Sequence, residues 1–322
     1  MWVLLAFVSA LCLGFYDISK KIALRENAVV DVLTASVLIS SGILVVPLLL
    51  SRLVPEAMQQ TLFYVPRLDW QAHLLTVLKS AIVLSSWVFG YISLKHLPIS
   101  VVNPWQATRP MWTLIGALLI FGERLNSWQW IGITLAIGSI LVFSFSQHKS
   151  AISNQLSAIS NHKSATCNHK SAISNRYYVA LALTILIGAC SGLYDKFMMR
   201  HYDHNAVQVY YTFYQAVMML IVWAIYHRKN HKSAICNFQS LKNLPAIILI
   251  SVFLIISDNV YMLALRDPDS LIAVVSTIRR GGAVIGFAYG LIFLREPDPW
   301  KKILAMSGVL AGLVCLALGT IH

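Results

Sequence analysis

The chain has 322 residues, of which 57% are hydrophobic and only 12% charged, with a mean hydropathy of +0.68. Soluble domains carry about 25% charged residues, so this composition excludes a soluble globular fold and indicates a polytopic membrane protein. The net charge of +12 would suggest a nucleic-acid partner in a soluble protein; here the basic residues gather in short connections and two inserts, where they read as juxtamembrane charge.

A helix needs about 20 apolar residues to cross a bilayer, and ten stretches qualify. The first five run from Trp2 to Ile22, Val29 to Leu50, Leu74 to Leu94, Ile99 to Phe121, and Trp128 to Phe145. The second five run from Tyr177 to Met199, Ala206 to Tyr226, Leu244 to Leu265, Leu271 to Leu294, and Ile303 to Leu318. The first stretch has no basic region ahead of it and no small-residue cleavage site, so it reads as a retained helix. Cys12, Cys167, Cys190, Cys236 and Cys315 are odd in number and lack metal-ligand spacing, which leaves neither a disulfide framework nor a redox centre.

Two connections carry copies of one short unit. HKSAISN stands at 148–154 and 169–175, HKSATCN at 162–168 and HKSAICN at 231–237. Their histidines and cysteines invite a zinc-binding reading. The plainer reading is that a Ser-, Ala-, Asn-rich unit with too little apolar mass to fold was copied into tolerant loops, and no metal or cofactor is expected.

A larger repeat organises the chain. At an offset of 178, Cys12, Gly14, Tyr16, Asp17, Asn27, Ala28, Val29 and Thr34 meet identical residues from Cys190 to Thr212, eight identities in 23 positions. At an offset of 170, Tyr91, Pro98, Ser100, Arg109, Ile115 and Gly116 meet Tyr261, Pro268, Ser270, Arg279, Ile285 and Gly286. The expected fold is therefore an all-α polytopic membrane protein of ten transmembrane helices, arranged as two five-helix repeats. Residues 1–146 form the first repeat, 147–175 a low-complexity linker, and 176–320 the second, with the insert at 231–237. Five spans is an odd number, so the second repeat enters the membrane from the opposite side and the repeats are inverted. Many secondary transporters alternate access about a midplane site in that way.

The motifs Leu94-Lys95-His96-Leu97-Pro98, Gly122-Glu123-Arg124 and Trp130-Ile131-Gly132, echoed by Pro268, Arg295-Glu296 and Trp300, resemble the EamA-type members of the drug/metabolite transporter superfamily. Arg295-Glu296-Pro297 departs from the commoner exit of the second repeat. The resemblance implies export or exchange of small metabolites and termini on the cytoplasmic side. Counting Lys and Arg in the connections by the positive-inside rule puts the termini outside instead.

The candidate site follows from charge at depth. Arg109 lies about 15 Å along its span, Arg279 repeats it, and a midplane arginine is expensive enough to face the bundle interior or a water-filled cavity. Each is expected either to bind an anion or to pair with a carboxylate of the first or sixth span. Trp105 and Gln106 share a helix face with Arg109, and Pro104 and Pro110 predict a kink at that level. Asp258 and Asn259 are polar residues inside an apolar span, suited to substrate contact or to partnering Arg279. Tyr214 is a cavity-lining candidate. Asp17 and Asp195 share a Gly-x-Tyr-Asp context and are candidates for a coupling proton, or for local pairing with Lys20, Lys21 and Lys196. Gly132, Gly138, Gly308 and Gly312 suit close packing of the fifth and tenth spans.

The expected function is secondary transport of a small polar or anionic metabolite, with the site at the midplane between the repeats, in the cell (inner) membrane. Its partners would be a small-molecule substrate, the lipid bilayer, and a coupling ion or counter-substrate; no nucleic acid is expected. The alternatives are a membrane-embedded enzyme or a receptor or assembly subunit. Against an enzyme, the chain has no HExxH, GxSxG or Walker A motif.

Overall fold

The computed structural model describes residues 1–24, 27–96, 105–106, 108–142, 171–229, 242–282, 284–285, 288 and 299–321. The regular elements there are helices: α1 (Trp2–Leu24), α2 (Val29–Leu53), α3 (Pro55–Gln59), α4 (Trp70–His96), α5 (Arg109–Ile120) and α6 (Ser127–Val142). They continue as α7 (Ser171–His201), α8 (His204–Lys229), α9 (Leu244–Arg266), α10 (Ile272–Arg280) and α11 (Pro299–Ile321). Within α1, α2, α4, α7, α8 and α9 there are six segments long and apolar enough to cross a membrane, and Arg109–Ile120, Ser127–Val142 and Met306–Gly319 are shorter apolar helices. An apolar bundle of this kind is stable in lipid because each helix satisfies its own backbone. The helix before Arg176 starts earlier than expected, at Ser171, so the last residues of the expected linker are helical. Most of the HKSAISN-type copies, with Cys167 and Cys236, lie outside the described residues.

The chain forms two compact units, and each draws on both sequence halves. Met1–Leu84 joins Tyr194–Ser270 in the first, and Ser85–Leu193 joins Leu271–His322 in the second.

In the first unit α1 lies along α9. Ser9 and Ser257 exchange hydrogen bonds, each hydroxyl donating to the other's carbonyl at 2.8 and 3.0 Å. Well along the same helices from the serine pair, Ala23 of α1, Val32 and Ala35 of α2, and Ala246, Ile247 and Ile250 of α9 form an apolar cluster. In α2, Pro47 cannot donate a backbone bond, and Ser51 uses the neighbourhood twice. Its hydroxyl donates to the Pro47 carbonyl at 2.7 Å and accepts the Val65 amide at 3.0 Å.

Two repeat-matched asparagines make the same kind of clasp in this unit. Asn27, ahead of α2, donates to the Lys242 carbonyl at 2.7 Å and accepts the Lys242 amide at 3.0 Å, just before α9. Asn205, at the start of α8, donates to the Leu62 and Tyr64 carbonyls at 2.7 and 3.1 Å, in the segment leading to α4. Each asparagine thus ties the start of the second helix of its own half to the chain entering the third helix of the other half.

In the second unit α6 and α11 pack at backbone distance. A Cβ added to Gly132 would lie 2.8 Å from the Gly312 carbonyl oxygen, and one added to Gly312 would lie 2.7 Å from that of Gly132. Gly138, expected to share this role, faces open space. Asn126 and Gln129 form a reciprocal capping box at the start of α6, with side chain to amide distances of 2.9 and 3.0 Å. Both side-chain amides also donate to the Gly319 carbonyl, at 2.6 and 3.3 Å.

Candidate functional site

The two repeat-matched arginines belong to the second unit, each where its helix loosens. Around Arg109 the bonds from the Thr108 amide to the Trp105 carbonyl and from the Met111 amide to the Thr108 carbonyl span three residues instead of four. Pro110 supplies no amide, and α5 begins at Arg109 itself. Arg109 therefore opens a helix within the described residues, at the level where Pro104 and Pro110 predict a kink in the span; Pro104 itself lies outside the described residues. Arg279 sits in the last turn of α10. Beyond it the ladder passes into three-residue bonds from Val284 to Gly281 and from Ile285 to Gly282.

The guanidinium of Arg109 lies against the backbone of α7. Its Nη2 donates to the Gly188 carbonyl at 2.6 Å, and a Cβ at position 188 would run into the guanidinium carbon and nitrogens. Of the two expected partners, the sixth span supplies a carbonyl here. Trp105, placed with Arg109 on one face by the sequence, is exposed, and Gln106 is half-buried. Arg279 is half-buried and Arg280 exposed.

The Gly122-Glu123-Arg124 motif has a local explanation. Gly122 takes a positive φ of 61°, which costs a residue with a Cβ roughly 1–2 kcal/mol. That turn ends α5 with the Glu123 amide on the Ala117 carbonyl at 3.3 Å. The buried Glu123 carboxylate then accepts the amides of Ile272 and Ala273 at 2.6 and 3.2 Å. These are the first two amides of α10, the helix that ends in Arg279-Arg280.

The first unit holds a second polar cluster, among α4, α7 and α8. Lys79 Nζ lies 2.5 Å from Asp195 Oδ1, with side-chain exposures of 3% and 13%. The ammonium also stands 4.8 Å from the centre of the Tyr211 ring, a cation–π contact. Tyr194 donates to the Leu75 carbonyl at 3.0 Å. Lys196, expected as a local partner of Asp195, is fully buried and turns to the Ser270 carbonyl and hydroxyl instead. Neighbouring positions on a helix point about 100° apart, so the two residues face different elements. Lys79 is the functional candidate that the sequence reading passed over; the signal was there, the one charged residue in the apolar stretch Leu74 to Leu94.

Tyr214 shares a hydrogen bond of 3.0 Å with His73 Nδ1, and Tyr210 meets the His73 ring edge-on at 4.6 Å. Asn259 is engaged in a buried amide network, donating to Asn205 Oδ1 at 2.9 Å and Gln208 Oε1 at 2.7 Å. Its side chain holds α9 to α8. Asp258 is half-buried on α9, in the first unit, and Asp17 is exposed on α1. Among the described residues no group of three or more His, Cys, Asp or Glu could hold a metal ion.

At one end of this unit, Asp203 caps α8 through the Asn205 and Ala206 amides at 2.9 and 3.3 Å and pairs with Arg266 at 3.2 Å. Burial pushes its carboxyl up, but the hydrogen bond and charge of His204, the Ala206 amide and the Arg266 guanidinium outweigh that and hold it below the usual carboxylate range.

Apolar helices of membrane-crossing length that keep arginine, lysine and aspartate among them are those of a multi-pass membrane protein with an internal polar site. Residues 1–145 match the EamA-like transporter family. The first 145 residues are therefore similar to EamA-like transporters, and the helices are those of an integral multi-pass membrane protein. One solved crystal structure is similar over 98% of this chain and 96% of its own, with a TM-score of 0.70 at 12% identity, a likeness that bears on the fold. A comparison with curated proteins returns no match.

Proposed function

We propose that the protein is a secondary transporter that exports or exchanges a small polar or anionic metabolite across the cell membrane by alternating access between two inverted five-helix repeats. The observation that carries this reading is that both repeat-matched arginines stand at interruptions of the α-helical ladder. Discontinuous helices that present charge and unsatisfied backbone are the usual ingredients of a transporter substrate site, and three-residue bonding inside a helix marks hinges. The reciprocal clasps of Asn27 and Asn205 support the inverted relation, because each half treats the other as its own equivalent treats it.

In this reading Arg109 and Arg279 contact the anionic part of the substrate, with Gln106 and Trp105 beside Arg109. The chain supplies no nucleotide-binding motif, so uphill movement draws on an ion gradient or on exchange. The test starts from purified protein in proteoliposomes, loaded with metabolites chosen by thermal stabilisation. Arg109→Ala and Arg279→Ala are expected to abolish uptake while leaving the yield of folded protein intact. Undiminished uptake in both variants would overturn the assignment.

A further inference from the structure

We propose that Lys79 receives a carboxylate or phosphate oxygen of the transported metabolite, and that Asp195 must take up a proton before it can do so. The inference rests on the transport reading and adds a residue and a coupling ion to it.

Three observations meet at this pair. Its depth is the first. Lys79 lies nine residues into the 27-residue helix α4, about 14 Å from its start, where a lipid headgroup does not reach. The second is its cost. A buried ion pair contributes little net stability over apolar residues of the same size, and ionisable groups inside a membrane are expensive. The third is its asymmetry. Asp195 repeats Asp17, but the position that repeats Lys79 is Leu249. The lysine is therefore not a requirement of the duplicated scaffold.

Among the described residues, the groups facing Asp195 are few. Lys79 approaches from α4 and the Tyr211 ring lies beside that ammonium from α8. On α7 itself Tyr194 is engaged with Leu75 and Lys196 with Ser270. A proton arriving on the Asp195 carboxylate removes the counter-charge of Lys79 and leaves a desolvated ammonium with one aromatic face. The electrostatic replacement is an oxyanion. Proton and oxyanion then bind with positive linkage, and for a monoanion the net charge of the site is unchanged. Asp195 is the more accessible member of the pair and, since Lys79 is already an ammonium, the one that can accept a proton.

The experiment measures thermal unfolding of the full-length protein in detergent, with sodium acetate and sodium phosphate as probes, choline chloride as the cationic control, and ionic strength matched. For the wild type, positive linkage predicts a larger rise in Tm with acetate or phosphate at the lower of two pH values than at the higher; which of the two probes acts names the oxyanion. Asp195→Asn should show the same rise at both pH values. Because Lys79→Met alone leaves Asp195 buried without its partner and is at risk of misfolding, the decisive variant is Lys79→Met combined with Asp195→Asn, which should show no rise at either pH. The proposal is overturned by a rise that survives the double variant, by unaltered pH dependence in Asp195→Asn, by stabilisation with choline only, or by no response of the wild type to either oxyanion. Each of these negative results leaves the transport reading standing, since that reading is decided by uptake in the arginine variants.

Discussion

The carboxylate of Glu123 holds the Ile272 amide at 2.6 Å, joining residues 149 positions apart in the chain. The motif that ends α5 in one half of the sequence thereby fixes the start of α10 in the other. Negative charge at a helix N-terminus is favourable, and here it also satisfies two amides that have no partner inside the helix.

Removing that cap should be measurable. Glu123→Ala is expected to lower stability by about 2 kcal/mol, the range for hydrogen bonds to a buried charged group. Glu123→Gln keeps one acceptor oxygen and should lose about half as much. Denaturant titration of the purified protein reads both, and equal stability of the alanine variant and the wild type would dismiss the cap.

Gly188 is the floor on which Arg109 rests. Gly188→Ala places a methyl group where the guanidinium lies, so the flexible end of Arg109 must swing aside and give up its bond to the Gly188 carbonyl. Impaired uptake with little loss of thermal stability is expected. An alanine variant that transports at the wild-type rate would show that the contact does not matter for function.

The two clasps should not be equal in strength. Asn205→Ala deprives the Leu62 and Tyr64 carbonyls and leaves Asn259 without one acceptor, with an expected loss of about 2 kcal/mol. Asn27 bonds Lys242 in an exposed setting, where water replaces lost partners, so Asn27→Ala should lose about 1 kcal/mol. Thermal unfolding of the two variants side by side checks the order.

Asp203 makes an acid-dependent contribution. Its carboxyl titrates lower in the folded chain than in the unfolded one, so the stabilisation is complete above the usual carboxylate range and is lost as pH falls through the lowered folded value. The group is partly exposed, which keeps the effect small. Asp203→Asn should flatten the acid limb of the stability profile and leave the neutral plateau lower; an unchanged acid limb would contradict the assignment.

What could be read in advance depended on whether a residue's partner was local. The apolar runs that became α1, α2, α4, α7, α8 and α9 were legible because span length is a property of a single stretch. The partner of Glu123 was not, since nothing in Gly122-Glu123-Arg124 points 149 residues ahead. The same limit explains Asp195, for which adjacent Lys196 was the natural partner on paper and Lys79 of α4 is the one in space. Asn259 is a further case: its partners Asn205 and Gln208 lie on α8, 54 and 51 residues away in the chain and invisible from its own span. The break beside Arg109 was legible for the same reason as the apolar runs: Pro110 lacks the amide that would continue the ladder, a property of the residue itself.

The serine pair between α1 and α9 bears on how the protein is made. Ser9 emerges from the ribosome 248 residues before Ser257, and Asn27 precedes Lys242 by 215. The first two helices therefore enter the bilayer with their polar contacts still unfilled and wait through most of synthesis for α9 to supply them. Truncation anywhere before α9 leaves that half of the molecule inserted but unclosed, a natural target for membrane quality control. The unit that begins at Met1 is finished only when residues up to Ser270 have arrived.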